Sequence, residues 1–188
     1  LPDSWLGRFQ VVEYLRSFLA GRVGWDALRI MFLVSGAFGM FRRDIVAKLG
    51  GLNPDSVGED LELTVRLHRY CRETDRPYRV AFVPDPVAWT EAPSTLRILG
   101  NQRDRWQRGL IDTMVLHRDM LLNPKYGRIG MVAYPYFFFL EMLGPVVEVT
   151  GYVVFLVLFA LGLVPLSLAL TFLLIAVVLG TILSVLSV

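Results

Sequence analysis

Along the stretch WLGRFQVVEYLRSFLAGRV, apolar residues recur at helical intervals: Trp5, Phe9, Val12, Leu15 and Leu19 form one stripe, while Arg8, Glu13 and Arg16 occupy other faces. The spacing predicts an amphipathic helix that stops near Gly21 or Gly24. IMFLVSGAFGMF (Ile30 to Phe41) follows, starting as a continuous apolar run suited to a buried strand and then meeting Ser35, Gly36 and Gly39, which permit close backbone approach. Arg42, Arg43 and Asp44 open a short predicted helix, DIVAKLGG, ended by Gly50 and Gly51. From Asn53 to Cys71 the pattern is a turn and then an amphipathic helix, with Leu61, Val65, Leu63, Leu67 and Cys71 tracing its apolar side and Glu59 and Asp60 at its start. YRVAFVP (Tyr78 to Pro84) alternates Tyr78, Val80 and Phe82 against Arg79, as a strand does. Ser94, after Pro93, is a fair N-cap for a helix that carries NQRDRWQRGL. Strand, helix, strand, helix in that order predicts an α/β domain whose other strands lie outside this chain.

Beyond Arg128 the pattern changes. From Ile129 to Val188 the charged residues are Glu141 and Glu148 alone. A roughly 30 Å apolar slab needs about 20 residues of helix; Ile129 to Val164 exceeds that and Leu166 to Val188 matches it. Pro135, Gly144, Pro145 and Gly151 make the longer stretch either an interfacial piece followed by a spanning piece or one kinked helix. GLVP (Gly162 to Pro165) is the turn between the two. The expected organisation is therefore 1–128 polar, 129–164 interfacial and transmembrane, and 165–188 a second transmembrane helix. Lys125 and Arg128, just outside the apolar part, place the polar domain in the cytoplasm of a multi-pass protein of the inner or plasma membrane.

Charge narrows the partners. Leu1 to Arg128 holds all 19 basic residues and 15 of the 17 acidic ones, an excess too small to make nucleic acid the expected partner. Cys71, the single cysteine, excludes an internal disulfide and reads as a small hydrophobe on a helix. His68 and His117 have no metal-ligand companion at useful spacing and read as surface histidines. Arg66, Arg69, Arg72, Arg76 and Arg79 read as a solvated basic face. The chain opens LPDSW, without an initiator Met or a signal-peptide pattern, and ends inside an apolar run, so it reads as a fragment whose ends fall within larger elements.

Two clusters carry candidate chemistry, and each has two readings. Glu59 and Asp60 at a helix start either stabilise the helix dipole or supply a general base for a substrate hydroxyl. Gln102, Arg105 and Trp106 stand at i, i+3 and i+4, hence on one helical face, with Arg103 and Asp104 pointing elsewhere. That face suits a ligand with both phosphate and sugar, or it anchors an interfacial helix at headgroup level. Glu141 and Glu148, seven positions apart, face either a watery interior or the headgroups.

VGEDLELTVRLHR followed by QRDRW resembles the processive family-2 glycosyltransferases, the cellulose, hyaluronan, chitin and poly-N-acetylglucosamine synthases. Their GED-type triplet corresponds to Gly58-Glu59-Asp60 and their Q-x-x-R-W to Gln102-Arg103-Asp104-Arg105-Trp106; SGAFGMFRRD resembles the segment that precedes the triplet. The resemblance implies the second half of a GT-A type domain followed by interfacial and transmembrane helices. It implies an inverting transferase that moves a hexose or N-acetylhexosamine from a nucleotide-sugar donor to a growing β-linked glycan at a lipid bilayer, and it leaves room for accessory secretion subunits. It assigns Asp60, with Glu59 beside it, to the base, and Gln102, Arg105 and Trp106 to the diphosphate and acceptor end. It also implies a divalent metal, Mg or Mn, held by a DxD motif upstream. No such motif occurs here: Asp3, Asp26, Asp44 and Asp85 lack the paired neighbour. This fragment alone is expected to be inactive. A single-sugar transferase acting on a lipid-linked acceptor and a non-catalytic membrane scaffold are the competing readings.

Overall fold

The computed structural model describes residues 4–85 and 90–186, and for 183–186 the backbone alone. Asp3 and the last residues of the predicted span ending at Val188 lie outside that range. The chain divides into two compact units, Leu1–Met142 and Leu143–Val188.

In the first unit, Ser4 caps α1 (Trp5–Tyr14) by accepting from Gly7 N. Helix α1 runs through a π-helical stretch, Leu15–Ala20, into α2 (Gly21–Ala27). The helix is as the periodicity predicts, but its apolar stripe points outward: Trp5 is 74% exposed and Phe9 69%. The inward side is instead Gly7 and Gln10, and Gln10 binds Glu13 and Arg103. Helix α3 (Arg43–Lys48) is short, and α4 (Glu59–Glu73) buries Leu61, Leu63, Val65, His68 and Cys71. The N-cap of α5 (Leu96–Leu116) is Thr95, one residue past Ser94; its hydroxyl accepts from Ile98 N.

The two predicted strands do not form. Ile30, Met31 and Phe32 are buried as a core segment should be, yet neither they nor Tyr78–Pro84 exchange a ladder with another segment, and no strand occurs among the described residues. A strand exists only where a neighbour accepts its backbone bonds. Here the Met31 carbonyl accepts from His68 Nε2 instead. The predicted α/β class is therefore corrected to an α-rich domain within this chain.

The core of the first unit joins Ile30 and Phe32 to Leu61 and Val65 of α4, Leu110 and Met114 of α5, and Met120, Tyr126, Ile129, Ala133 and Tyr134. Ile129, Ala133 and Tyr134 show that the start of the apolar tail packs into this unit. That tail begins as π-helix Ile129–Ala133, continues through the turn-length α6 (Tyr134–Tyr136), and ends as π-helix Phe137–Met142. The second unit contains α7 (Gly144–Ala160) and α8 (Leu166–Leu186). Among the described residues one helical stretch, Ile129–Ala160 at 32 residues, is long and apolar enough to cross a membrane, and Leu166–Ile182 is a shorter apolar helix. Glu141 and Glu148 are both exposed and each accepts from a tyrosine hydroxyl of its own segment, Tyr136 and Tyr152.

Candidate active site

The mouth of α4 is built by a tight turn. Asp55 N donates to Asn53 Oδ1 and Gly58 N to Ser56 Oγ, which delivers the chain into the helix at Glu59. Asp60 is half-buried, and both of its oxygens are held. Oδ1 accepts from Leu61 N at 2.8 Å, and Oδ2 accepts from Gly36 N at 2.7 Å. The first bond satisfies an orphan N–H of the helix start, so the dipole-stabilising role is real. The second bond reaches 24 residues back and fixes the carboxylate against the SGAFG segment. A Cβ at Gly36 would lie 3.1 Å from Asp60 Oδ2, so the glycine leaves the room that this bond occupies. Glu59 is exposed and shares with Asp60 a depression of about 520 Å³, whose other lining includes Ser35, Gly36, Phe41 and Arg43.

The α5 side is organised by α1 and the π-helical stretch after it. Tyr14 and Phe18 stack at 4.9 Å between centroids, and Phe18 meets Trp106 at 6.0 Å. Tyr14 OH donates to Gln102 Oε1 at 3.4 Å. Arg103 pairs with Glu13 and lies 4.7 Å from the Trp106 ring centroid. The face toward α1 is thus Gln102, Arg103 and Trp106, and Arg103 does not point elsewhere as the sequence suggested. Asp104 does turn away, pairing with Arg108 at 2.8 Å. Arg105 is exposed and takes no partner among the described residues. Gln107 Nε2 donates to the Met142 carbonyl, tying α5 to the end of the unit.

What joins the two clusters is a glycine pair. A Cβ at Gly109 would lie 2.7 Å from Gly58 Cα, and one at Gly58 would lie 2.9 Å from Gly109 Cα. Backbones this close are open only to glycine. Gly109 is four residues after Arg105 and three after Trp106, and Gly58 is two before Asp60, so the carboxylate-bearing helix start rests on the face that carries Q-x-x-R-W. A second link runs through side chains: Arg22 lies 4.7 Å over the Phe18 ring, and Asp60 is the anion that acts on it, favouring its charged form while partial burial pulls its pKa down by a larger amount. Gln102 and Trp106 do not line the Asp60 depression, and neither do Phe18 and Arg22. Sequence reasoning missed Tyr14, Phe18 and Arg22, although their four-residue spacing was the available signal.

Both histidines are corrections. His68 is 2% and His117 4% exposed. The Met31 carbonyl can only accept, so His68 Nε2 carries the proton and Nδ1 accepts from Tyr78 OH at 2.8 Å. Burial lowers the His68 pKa to about 4, and Arg72 adds to the fall. His117 Nε2 faces Glu62 Oε1 at 3.2 Å, which ties α4 to the end of α5. The arginines are not a freely solvated face either. Arg66 donates to the Leu49 and Gly51 carbonyls, Arg69 pairs with Asp119 and Glu73, and Arg79 pairs with Asp26. Cys71 is buried as expected, and burial raises its pKa away from reactivity.

Among the described residues no group of three or more His, Cys, Asp or Glu side chains could hold a metal ion.

Comparison with known proteins identifies the family. Residues 2–183 match the model of "Glycosyl transferase family group 2". The chain is 29% identical over 129 residues to the poly-beta-1,6-N-acetyl-D-glucosamine synthase of Staphylococcus aureus (strain COL), covering 69% of this chain and 29% of that protein. It is 26% identical over 117 residues to the probable glycosyltransferase YdaM of Bacillus subtilis (strain 168), covering 55% of this chain and 26% of that protein. The chain thus spans less than a third of the length of either relative. No solved structure matches it. With nearly its whole length matched by one family model, and the GED and QxxRW segments of that family packed together through Gly58 and Gly109, the chain belongs to the family-2 glycosyltransferases.

Proposed function

We propose that this chain supplies the second half of the catalytic domain of a membrane-embedded, inverting glycosyltransferase that extends a β-linked polymer of hexose or N-acetylhexosamine units. The observation that carries the reading is the Gly58–Gly109 backbone contact, which seats Asp60 beside the Q-x-x-R-W helix. Asp60 is the general base. It takes the proton of the acceptor hydroxyl as that oxygen forms a bond to the anomeric carbon of the donor sugar. The bond from that carbon to the nucleotide diphosphate breaks, and the diphosphate leaves with the electron pair. Attack opposite the leaving group inverts the centre. Arg105 stabilises the charge that grows on the leaving diphosphate, more in the transition state than before it. Trp106, fixed by Phe18 and Arg103, offers its indole to the terminal sugar of the acceptor, and Gln102 hydrogen-bonds beside it. Glu59, exposed at the rim, adds negative charge next to the base.

The donor half and any divalent ion belong to the rest of the complete protein. Its catalytic part is cytoplasmic, and Ile129–Ala160 followed by α8 makes a multi-pass anchor that delivers the glycan toward the membrane.

The test is transfer from radiolabelled nucleotide hexoses and N-acetylhexosamines by membranes that contain the complete protein. Polymer should form from one of them, and Asp60→Asn should lower the rate by about 10²–10⁴-fold, the usual worth of a general base. Polymer made by Asp60→Asn at the unaltered rate would remove Asp60 from that role; no transfer from any donor would favour a scaffold.

A further inference from the structure

We propose that Arg22 is a binding residue for the diphosphate of the donor and of the departing nucleotide, held open across from Asp60. The inference rests on the glycosyltransferase reading above and adds a cation that the family signature does not name.

Arg22 and Asp60 are opposite charges within electrostatic reach, yet no ion pair closes between them. Each is held by something else. The carboxylate is fixed by Gly36 N and Leu61 N, and the guanidinium is laid on Phe18, whose ring is in turn packed between Tyr14 and Trp106. The π-helical stretch Leu15–Ala20 sets this arrangement, since it widens the turn that places Phe18 and then Arg22 on the side of Trp106. Among the described residues the Arg22 guanidinium donates no hydrogen bond. Arg66, Arg69, Arg79, Arg103 and Arg108 of the same unit close ion pairs instead.

The Phe18 ring gives this half-buried guanidinium a face to lie on, but among the described residues its N–H groups have exchanged water for no acceptor. Its planar fork of N–H donors fits two oxygens of a phosphate group, and a ligand carrying them restores those bonds with charge assistance. Neutral sugar hydroxyls match the fork less well. A cation at this point also lies between two negative charges that the reaction must bring together, the Asp60 carboxylate and the leaving diphosphate, and it lowers their repulsion.

The experiment measures equilibrium binding of radiolabelled uridine diphosphate and guanosine diphosphate to the complete protein in neutral detergent. Arg22→Gln should weaken binding of the nucleotide that the protein takes by about tenfold or more, the loss of a charge-assisted contact, with an unchanged thermal midpoint. Arg22→Lys keeps the charge without the fork and should fall between the two; it also decides the matter if the Gln variant misfolds. Equal binding by all three proteins would overturn the role of Arg22 and leave the glycosyltransferase reading standing. Failure of the unaltered protein to bind either nucleotide would sink that reading and this inference together. Loss of adsorption to phosphatidylglycerol vesicles with nucleotide binding intact would assign Arg22 to lipid headgroups and overturn the proposal.

Discussion

His68 sits where three segments meet, bonded to the Met31 carbonyl and the Tyr78 hydroxyl and stacked 6.5 Å from Phe32. It holds in place two apolar segments that have no strand partner. Its folded pKa of about 4 lies below the ordinary value of roughly 6.5. The unfolded chain therefore binds the proton more readily between those values. Its contribution to stability is complete above about pH 6.5 and is lost as pH falls toward 4, at roughly 1.4 kcal/mol per unit. Thermal midpoints of the complete protein should drop across that window, and His68→Gln should flatten the drop while lowering the midpoint at neutral pH. A midpoint that declines equally in both proteins would assign the acid sensitivity to other groups. At this scale the sequence marked candidates where a motif stood, as for Asp60 and Trp106. It was silent for His68, whose partners are 37 and 10 residues away, and for Arg22 it offered only the four-residue spacing to Phe18, not the approach of Trp106 from another helix.

Helices were readable from periodicity because their bonds are internal. Strands were not, because their bonds belong to neighbours; Ile30–Phe32 is buried as expected but its backbone is answered by a histidine. The outward turn of the Trp5 and Phe9 stripe has the same cause, since periodicity gives a face but not what covers it. The contact of α4 with α5 was hidden in two glycines that carry no pattern. Replacing Gly109 with Ala adds a methyl 2.7 Å from Gly58 Cα, in contact with backbone that cannot rotate away. The overpacking costs about 1–3 kcal/mol, and the better helix propensity of Ala returns roughly 1 of it. Net stability should fall by up to about 2 kcal/mol, and transfer should fall on the order of 10²-fold because the base is displaced from the Q-x-x-R-W face. Gly100→Ala, in the same helix with open space around its Cβ, should keep full transfer and gain roughly 1 kcal/mol. If both alanines transfer at the unaltered rate, the glycine contact does not set the geometry of the site.

For the whole molecule, the break in composition at Arg128 was plain from the sequence, but the structural boundary falls later, at Met142, since Ile129, Ala133 and Tyr134 fill the core of the first unit. Hydropathy could not separate residues that face protein from residues that face lipid, because both are apolar. In α7 the distinction is visible: Val153, Val154, Leu156 and Val157 are all at least half exposed, an arrangement that water would penalise and a bilayer would not. A bilayer and a protein partner would each cover that surface, and the two make different demands on a charge placed there. At the centre of a spanning helix an arginine costs about 2.5–3.5 kcal/mol of insertion. Val154→Arg should shift much of the protein from the carbonate-resistant membrane fraction to the soluble one, while Leu28→Arg, an exposed position in the first unit, should leave the distribution unchanged. Equal retention of both variants would mean that α7 does not cross the bilayer, and the anchor would then have to be sought in α8 or in the exposed stripe of α1.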